Sequence, residues 1–308
     1  MKKLLYYIVY ALIYGLSLLP FRVLYVLSDF FYLLAYYVIR YRRKIVRKNL
    51  TDSFPEKTED EICRIERGFY KWFCDYMVES LKMMTISKEE MMRRCTFKGT
   101  ELLDEAIEKG QSCGLYLGHY CNWEWVTTLP LSLKSNPVCG EIYHVLENAD
   151  FDRLFKHMRE RFGSICIPMA ETLRVITKYK QQGQPVIIGY IADQVPFWNN
   201  IHYWTDFLNH DTPVLTGTEK ILRRLNHAIF YVDGYRPRRG YYEWEFKLIT
   251  YEPTKMKKFE ITEQYCRMLE KSIQRQPEFW LWSHNRWKRG REEWLRDHVD
   301  QETGRVRA

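Results

Sequence analysis

Between residues 101 and 191 the sequence changes its hydrophobic period repeatedly, and this alternation limits the chain to few architectures. Residues 101–109 place apolar side chains at helical spacing and stop at Gly110, and residues 114–118 form a short apolar run of strand character. A second strand is expected over 137–143, a helix over 151–162 closed by Gly163, and a short strand over 165–167. A helix over 171–182 closed by Gly183 and a buried strand over 186–191 follow. Strands that alternate with helices pair in parallel, and the returning helices cover the sheet faces. The expected fold class is therefore α/β, with a largely parallel sheet flanked by helices. Ligands of such sheets gather beyond the carboxyl ends of the strands. His119 follows the first strand, His144 the second, and Asp193 with Gln194 the last.

His119 lies in the stretch LYLGHYCNWEW, where a strand gives way to an expected helix start at Asn122. On one continuous helix, residues five apart are about 140° from each other, so His119 and Glu124 would not share a face. With the histidine in the loop and the glutamate in the first helical turn, they can meet. A neutral imidazole would then accept a proton from an attacking hydroxyl while the carboxylate fixes its tautomer. Backbone N–H groups near Asn122, or a nearby cation, would face a developing oxyanion. Glutamate in a first turn is also favoured by the helix dipole alone, by ~0.3–1 kcal/mol, and a histidine after a strand is often a satisfied structural group. Cys121 invites a Cys–His nucleophile, which requires a low-pKa environment that spacing does not supply. The eight cysteines contain no C-x-x-C pair, and no second histidine stands near His119 at zinc spacing, so no metal is expected. Scattered cysteines fit a reducing compartment.

The first fifty residues have a different character. Eighteen residues without a charge, 4–21, are followed by Arg22 and Asp29 and then by a second apolar run, 30–39. Arg40, Arg42, Arg43, Lys44, Arg47 and Lys48 form a basic collar of the kind held on the cytoplasmic side of a membrane and drawn to anionic lipid. Since ~20 apolar residues span a hydrocarbon core, residues 1–50 are expected to be a membrane anchor with its collar, carrying a transmembrane helix, and 51–308 a cytoplasmic domain; a buried globular helix is the bland alternative, and the pattern leaves open whether 4–39 spans once, makes a hairpin or lies partly in the interface. The formal charge of +8 suits an anionic partner. Its basic residues fall in no nucleic-acid-binding motif, so no nucleic acid is expected.

Thr58 with Glu61, and Ser87 with Glu90, read as helix-start capping signals, the first opening an aromatic-striped helix expected to pack on the catalytic core. The run 195–214, rich in aromatics, reads as a long irregular lid or acyl-chain wall. A helix is expected over 216–225, paired strands over 228–233 and 242–250, and a helix over 259–275. Arg236, Arg238 and Arg239 between those strands suit either phosphate or a solvated turn. The tail FWLWSHNRWKRGR reads as a membrane-surface or substrate-gripping segment, and the last residues as frayed.

These stretches, in this order, resemble the late acyltransferases of lipid A biosynthesis, which add secondary acyl chains to the anchor of lipopolysaccharide. The resemblance covers residues 41–288 and rests on YRRKIVRKNL, GHYCNWEW, ADQ and PEFWLWSHNRWK; the second resembles the H-x-G-N-x-E form of the H-x4-D/E acyltransferase signature. It implies a glycerol-phosphate-acyltransferase type of α/β fold and an enzyme at the bacterial inner membrane, with its catalytic domain on the cytoplasmic side. It implies transfer of an acyl group, other than aminoacyl, from acyl carrier protein to a hydroxyl of a lipid A precursor, without a cofactor. His119 carries over as general base, Glu124 as its orienting carboxylate and Asp193 as a supporting aspartate. Asn122, His144, Gln194, Arg236 and Arg238 are the substrate-binding candidates. Two departures stand out: Cys121 where the family has glycine, and His144 where the family has an arginine. The loss of the arginine leaves open a different polar lipid as acceptor. A catalytically inactive, membrane-anchored lipid-binding protein is the reading outside enzymes.

Overall fold

The computed structural model describes residues 2–300; the closing stretch expected to fray, 301–308, lies outside the described residues. The chain opens with helices α1 (Lys2–Leu18) and α2 (Phe21–Leu33), the latter running into a π-helical turn over Leu34–Val38. The helical break falls at Pro20 and not at the polar interval 22–29, because proline has no N–H to donate and disfavours helix in the residue before it. Helices α3 (Arg43–Ser53), α4 (Glu59–Lys82) and α5 (Lys88–Arg94) follow. Both capping signals are observed. The Thr58 hydroxyl accepts from the backbone N–H of Glu61 while the Glu61 carboxylate accepts from that of Thr58, and Ser87 accepts from the N–H of Glu90.

The α/β part then runs β1 (Cys95–Lys98), α6 (Thr100–Glu108), β2 (Cys113–Leu117), a 3-10 segment (Trp123–Ser132) and β3 (Val138–Tyr143). It continues through α7 (Ala149–Glu160), β4 (Ser164–Pro168), α8 (Thr172–Gln181) and β5 (Val186–Ile191). The chain closes with β6 (Trp204–Phe207), β7 (His210–Pro213), α9 (Gly217–Leu225), β8 (Ala228–Arg238), β9 (Tyr241–Thr250), α10 (Glu260–Arg275) and α11 (Arg291–Asp297). Seven strands form one sheet in the order β1-β9-β8-β2-β5-β3-β4, parallel at every pairing except the β8–β9 hairpin. The expected α/β class and largely parallel sheet are what the chain forms.

Three local expectations change. The edge strand β1 went unforeseen because four residues, CTFK, are too few to set a period. The 195–214 run is not wholly irregular: Trp204–Phe207 and His210–Pro213 pair as a small antiparallel ribbon. Strand β8 extends to Arg238, so Arg236 and Arg238 belong to the hairpin's arm and not to a loop between short strands.

Every residue of β2 is buried, and β5 beside it is nearly so, which makes this pair the spine of the core. Helix α4 buries Phe69, Tyr70 and Trp72 at the centre of an aromatic cluster that reaches Trp123 and Phe279. Each such side chain stabilises the fold by ~1.5–3 kcal/mol on burial. The aromatic stripe is thus core, as its spacing suggested. The 3-10 segment after β2 is buried from Trp123 to Leu129, so it holds the loop before it at a fixed place.

Candidate active site

Strands β2 and β5 pair in parallel with Leu117 opposite Ile191, and both His119 and Asp193 stand two residues beyond that matched pair. They therefore emerge side by side at the carboxyl edge of the sheet. The Asp193 carboxylate accepts the backbone N–H of His119 on Oδ2 at 2.7 Å and meets the ring Nδ1 with Oδ1 at 2.6 Å. Trp280 donates its indole N–H to the same Oδ2 at 2.7 Å. Gly118 leaves room for this: a Cβ there would stand 2.6 Å from Leu269 Cδ1 and 3.3 Å from Asp193 Oδ2.

An ionised carboxylate only accepts, so its bond assigns the proton to Nδ1 and leaves Nε2 as the basic nitrogen. Nε2 faces the amide of Gln194 at 3.3 Å. The His119 side chain is 19% exposed against 3% for Asp193, so an open imidazole lies over a closed carboxylate. Burial alone would raise the Asp193 carboxyl, but the His119 charge and the hydrogen bonds from His119 and Trp280 outweigh it and lower the carboxyl to about 2.

The tail motif clamps this arrangement from outside the sheet. Leu281 donates its N–H to His119 O at 3.1 Å, and Cys121 donates to Phe279 O at 2.9 Å. His284 accepts the Val195 N–H on Nε2 at 3.3 Å, as a neutral ring, its pKa pushed by burial down to about 4. Phe279, Trp280, Trp282 and Arg286 are all buried. FWLWSHNR is therefore an internal clamp on the site and not a membrane-surface segment.

Glu124 does not orient His119. Its carboxylate accepts two parallel bonds from Arg159 on α7, from Nε and Nη2, at 2.7 Å each. A buried carboxylate gains more from a permanently charged, bidentate guanidinium than from an imidazole. The rings between them keep the two residues apart: Trp123 packs edge-on against His119 at 5.0 Å and, tilted, against Tyr76 at 4.2 Å, and the Tyr76 hydroxyl lies 3.5 Å from Glu124. Asn122 does not cap a helix either; its side-chain amide donates to Glu79 at 3.0 Å inside the core. Arg159 was not among the sequence candidates. Glu141 on β3 stands 3.5 Å from Arg159, and its carboxyl is raised to about 7 by burial, with Arg159 opposing and Glu124 reinforcing the shift.

The sequence model of the family described as bacterial lipid A biosynthesis acyltransferase matches residues 1–289. The chain belongs to that family. A search among curated proteins found no match. Membership in the lipid A acyltransferase family makes acyl transfer the class of reaction, and it puts the two departures from the family's pattern in structural terms. Cys121 has a φ of 51°, in the left-handed region where glycine is at ease and other residues cost about 1–2 kcal/mol. Its thiol is fully buried, and burial pushes its pKa well above the ordinary value, which removes the low-pKa environment a Cys–His nucleophile needs. His144 projects from the end of β3 into solvent, its Nδ1 against Val145 O at 3.0 Å. Arg236 is sequestered: it binds Asp75 at 2.6 Å and lies 3.9 Å from Glu79, both carboxylates buried. Arg238 lies over the Tyr241 ring at 3.7 Å on the outer side of the hairpin. Of the eight candidates, the fold brings His119, Asp193 and Gln194 together and sets the other five apart from them.

Proposed function

We propose that the chain transfers a fatty acyl group from an acyl carrier protein thioester to a hydroxyl of a lipid A precursor, with His119 as general base. The observation that carries this reading is the 2.6 Å contact of His119 Nδ1 with Asp193, which leaves Nε2 open at the strand ends. The acceptor hydroxyl gives its proton to Nε2 as its oxygen attacks the thioester carbonyl. Collapse of the tetrahedral intermediate then expels the thiolate, which takes the proton back from the imidazolium. Asp193, ionised and closed from solvent, offsets the imidazolium charge during the step.

Glu124 and Arg159 form an ion pair across Trp123 and Tyr76 from the imidazole, which fixes the aromatic wall against which His119 packs. His144 in place of an arginine favours one second reading, in which the acceptor is another polar lipid.

The test is acyl transfer from purified acyl carrier protein thioester in detergent micelles, with lipid A precursor, phospholipid, glycolipid and aminolipid as separate acceptors and products read by mass spectrometry. His119→Ala should lower turnover by ~10²–10⁴-fold with the fold retained. Turnover at the wild-type rate would remove His119 from the mechanism, and product from a different acceptor alone would replace the lipid A precursor.

A further inference from the structure

Among the described residues one helical segment, Phe21–Val38, is long and apolar enough to cross a membrane. Its contacts do not suit a crossing. Along one face, Phe21, Leu24, Ser28, Tyr32 and Tyr36 are buried against the domain at helical spacing. That face is tied by polar bonds: Ser28 donates to Asp75 at 2.6 Å, Tyr25 to Glu79 at 3.0 Å, and Asp29 pairs with Arg239 at 2.7 Å. Asp29 stands at the middle of the segment. A bilayer centred there would hold the Asp29–Arg239 pair, Asp75 and the end of the β8–β9 hairpin at its midplane. A single charge at that depth costs ~2.5–3.5 kcal/mol by insertion, and irregular backbone is not tolerated facing lipid.

The opposite face is open and largely apolar, with Arg22 and the half-exposed Asp29 along one edge. Val23, Val26, Phe30, Phe31 and Leu33 on α2 are exposed, and α1 adds Tyr7, Ile8 and Leu12. The end of α1 is pinned to the domain by Lys82, which donates to Ser17 O at 2.8 Å and Leu19 O at 2.9 Å. Helix α1, Lys2–Leu18, is about 26 Å long at 1.5 Å per residue, less than the ~30 Å hydrocarbon core. Beside this face a basic groove of about 970 Å³ is lined by Arg40, Arg42, Arg43, Lys44, Arg47 and Lys48, with only Asp52 and Glu66 as acids. An apolar face edged by cations complements a leaflet with anionic headgroups.

We propose that α1 and α2 hold the protein to one leaflet as an in-plane platform, their open face in the acyl-chain boundary and the basic groove on anionic headgroups, and that Phe21–Val38 does not cross. This does not depend on which residues carry the chemistry. The test uses the full chain with Cys63, the one cysteine that is not buried, replaced by serine. Arg22→Cys and Arg40→Cys flank the segment and are treated with a membrane-impermeant maleimide in spheroplasts and in inside-out vesicles. Both should label only in inside-out vesicles; labelling from opposite sides overturns the proposal. In a second arm, Val26→Asp with Phe30→Asp, both at exposed positions, should reduce flotation with phosphatidylcholine–phosphatidylglycerol vesicles by about tenfold or more. Unchanged flotation overturns the proposal. So does a wild-type chain that sediments as a dimer, does not float, and becomes monomeric in the double variant, since the face is then covered by a second copy.

Discussion

Asp193 is enclosed, holds three hydrogen bonds and is lowered from 3.8 to about 2, so it is ionised across the working range of any cytoplasmic or periplasmic enzyme. A depressed carboxyl contributes stability that is complete above its unfolded pKa and is lost as pH falls through its folded one. The stability difference between wild type and Asp193→Asn, read by urea denaturation in micelles, should be constant above pH 3.8 and close as pH falls toward 2. Both members of this pair were legible in the sequence, because strand ends in a parallel sheet are where ligands collect. Their partnership was not. His119 and Asp193 are 74 positions apart, and only the order of strands, with β5 inserted beside β2, makes them neighbours. The nearer carboxylate, Glu124, was the natural choice by spacing, yet a guanidinium 35 positions on claims it. Arg159 carried a weak sign at most: a cation in the last turn of an amphipathic helix, where basic residues are favoured in any case.

At the scale of elements, α4 and the β8–β9 hairpin are joined by charge. Asp75 and Glu79 on the helix and Arg236 and Arg239 on the hairpin form a network reaching Asn122 beside the His119 loop. Removing one partner of a buried ion pair leaves the other uncompensated, at a cost of ~3–5 kcal/mol. Arg236→Met should therefore lower the thermal unfolding midpoint sharply, whatever the lipid present; an unchanged midpoint would return this arginine to the list of phosphate ligands. Strand β3 and helix α7 meet through Glu141, Glu124 and Arg159. Glu141 is raised from 4.5 to about 7, so the folded state holds a proton that the unfolded chain releases, and stability falls as pH rises across that interval. Glu141→Gln removes this dependence. Its stability relative to wild type should rise between pH 5 and pH 8 in calorimetry, and a constant offset would show that the carboxyl does not titrate there. Helix limits marked by glycine and by the Thr58–Glu61 box could be read directly, since they depend on local chemistry. The β6–β7 ribbon and strand β1 could not, because each is stabilised by what it packs against and not by its own four residues.

At the scale of the whole molecule, the apolar stretch that composition set apart packs one face into the common core. Helix α2 and its π turn bury Phe21, Leu24, Tyr32 and Tyr36, each worth ~1.5–3 kcal/mol, against a total stability for such domains of about 5–15 kcal/mol. Deleting residues 1–39 should leave a chain that aggregates or shows no cooperative unfolding by circular dichroism; a soluble, folded remainder would mean that these helices are an appendage. Composition distinguished apolar from charged stretches correctly but carried no sign that one face of the apolar stretch is committed to protein. The clamp of Trp280 and Leu281 on the His119 loop has a bearing on when the protein acquires its chemistry. Synthesis proceeds from the amino terminus, and every strand of the sheet is complete by Thr250. A nascent chain halted there would have His119 and Asp193 on finished strands, while Asp193 would lack its indole donor and the His119 loop its backbone partner. Competence thus arrives only when Phe279, Trp280 and Leu281 have been made and docked, after every strand of the sheet is complete.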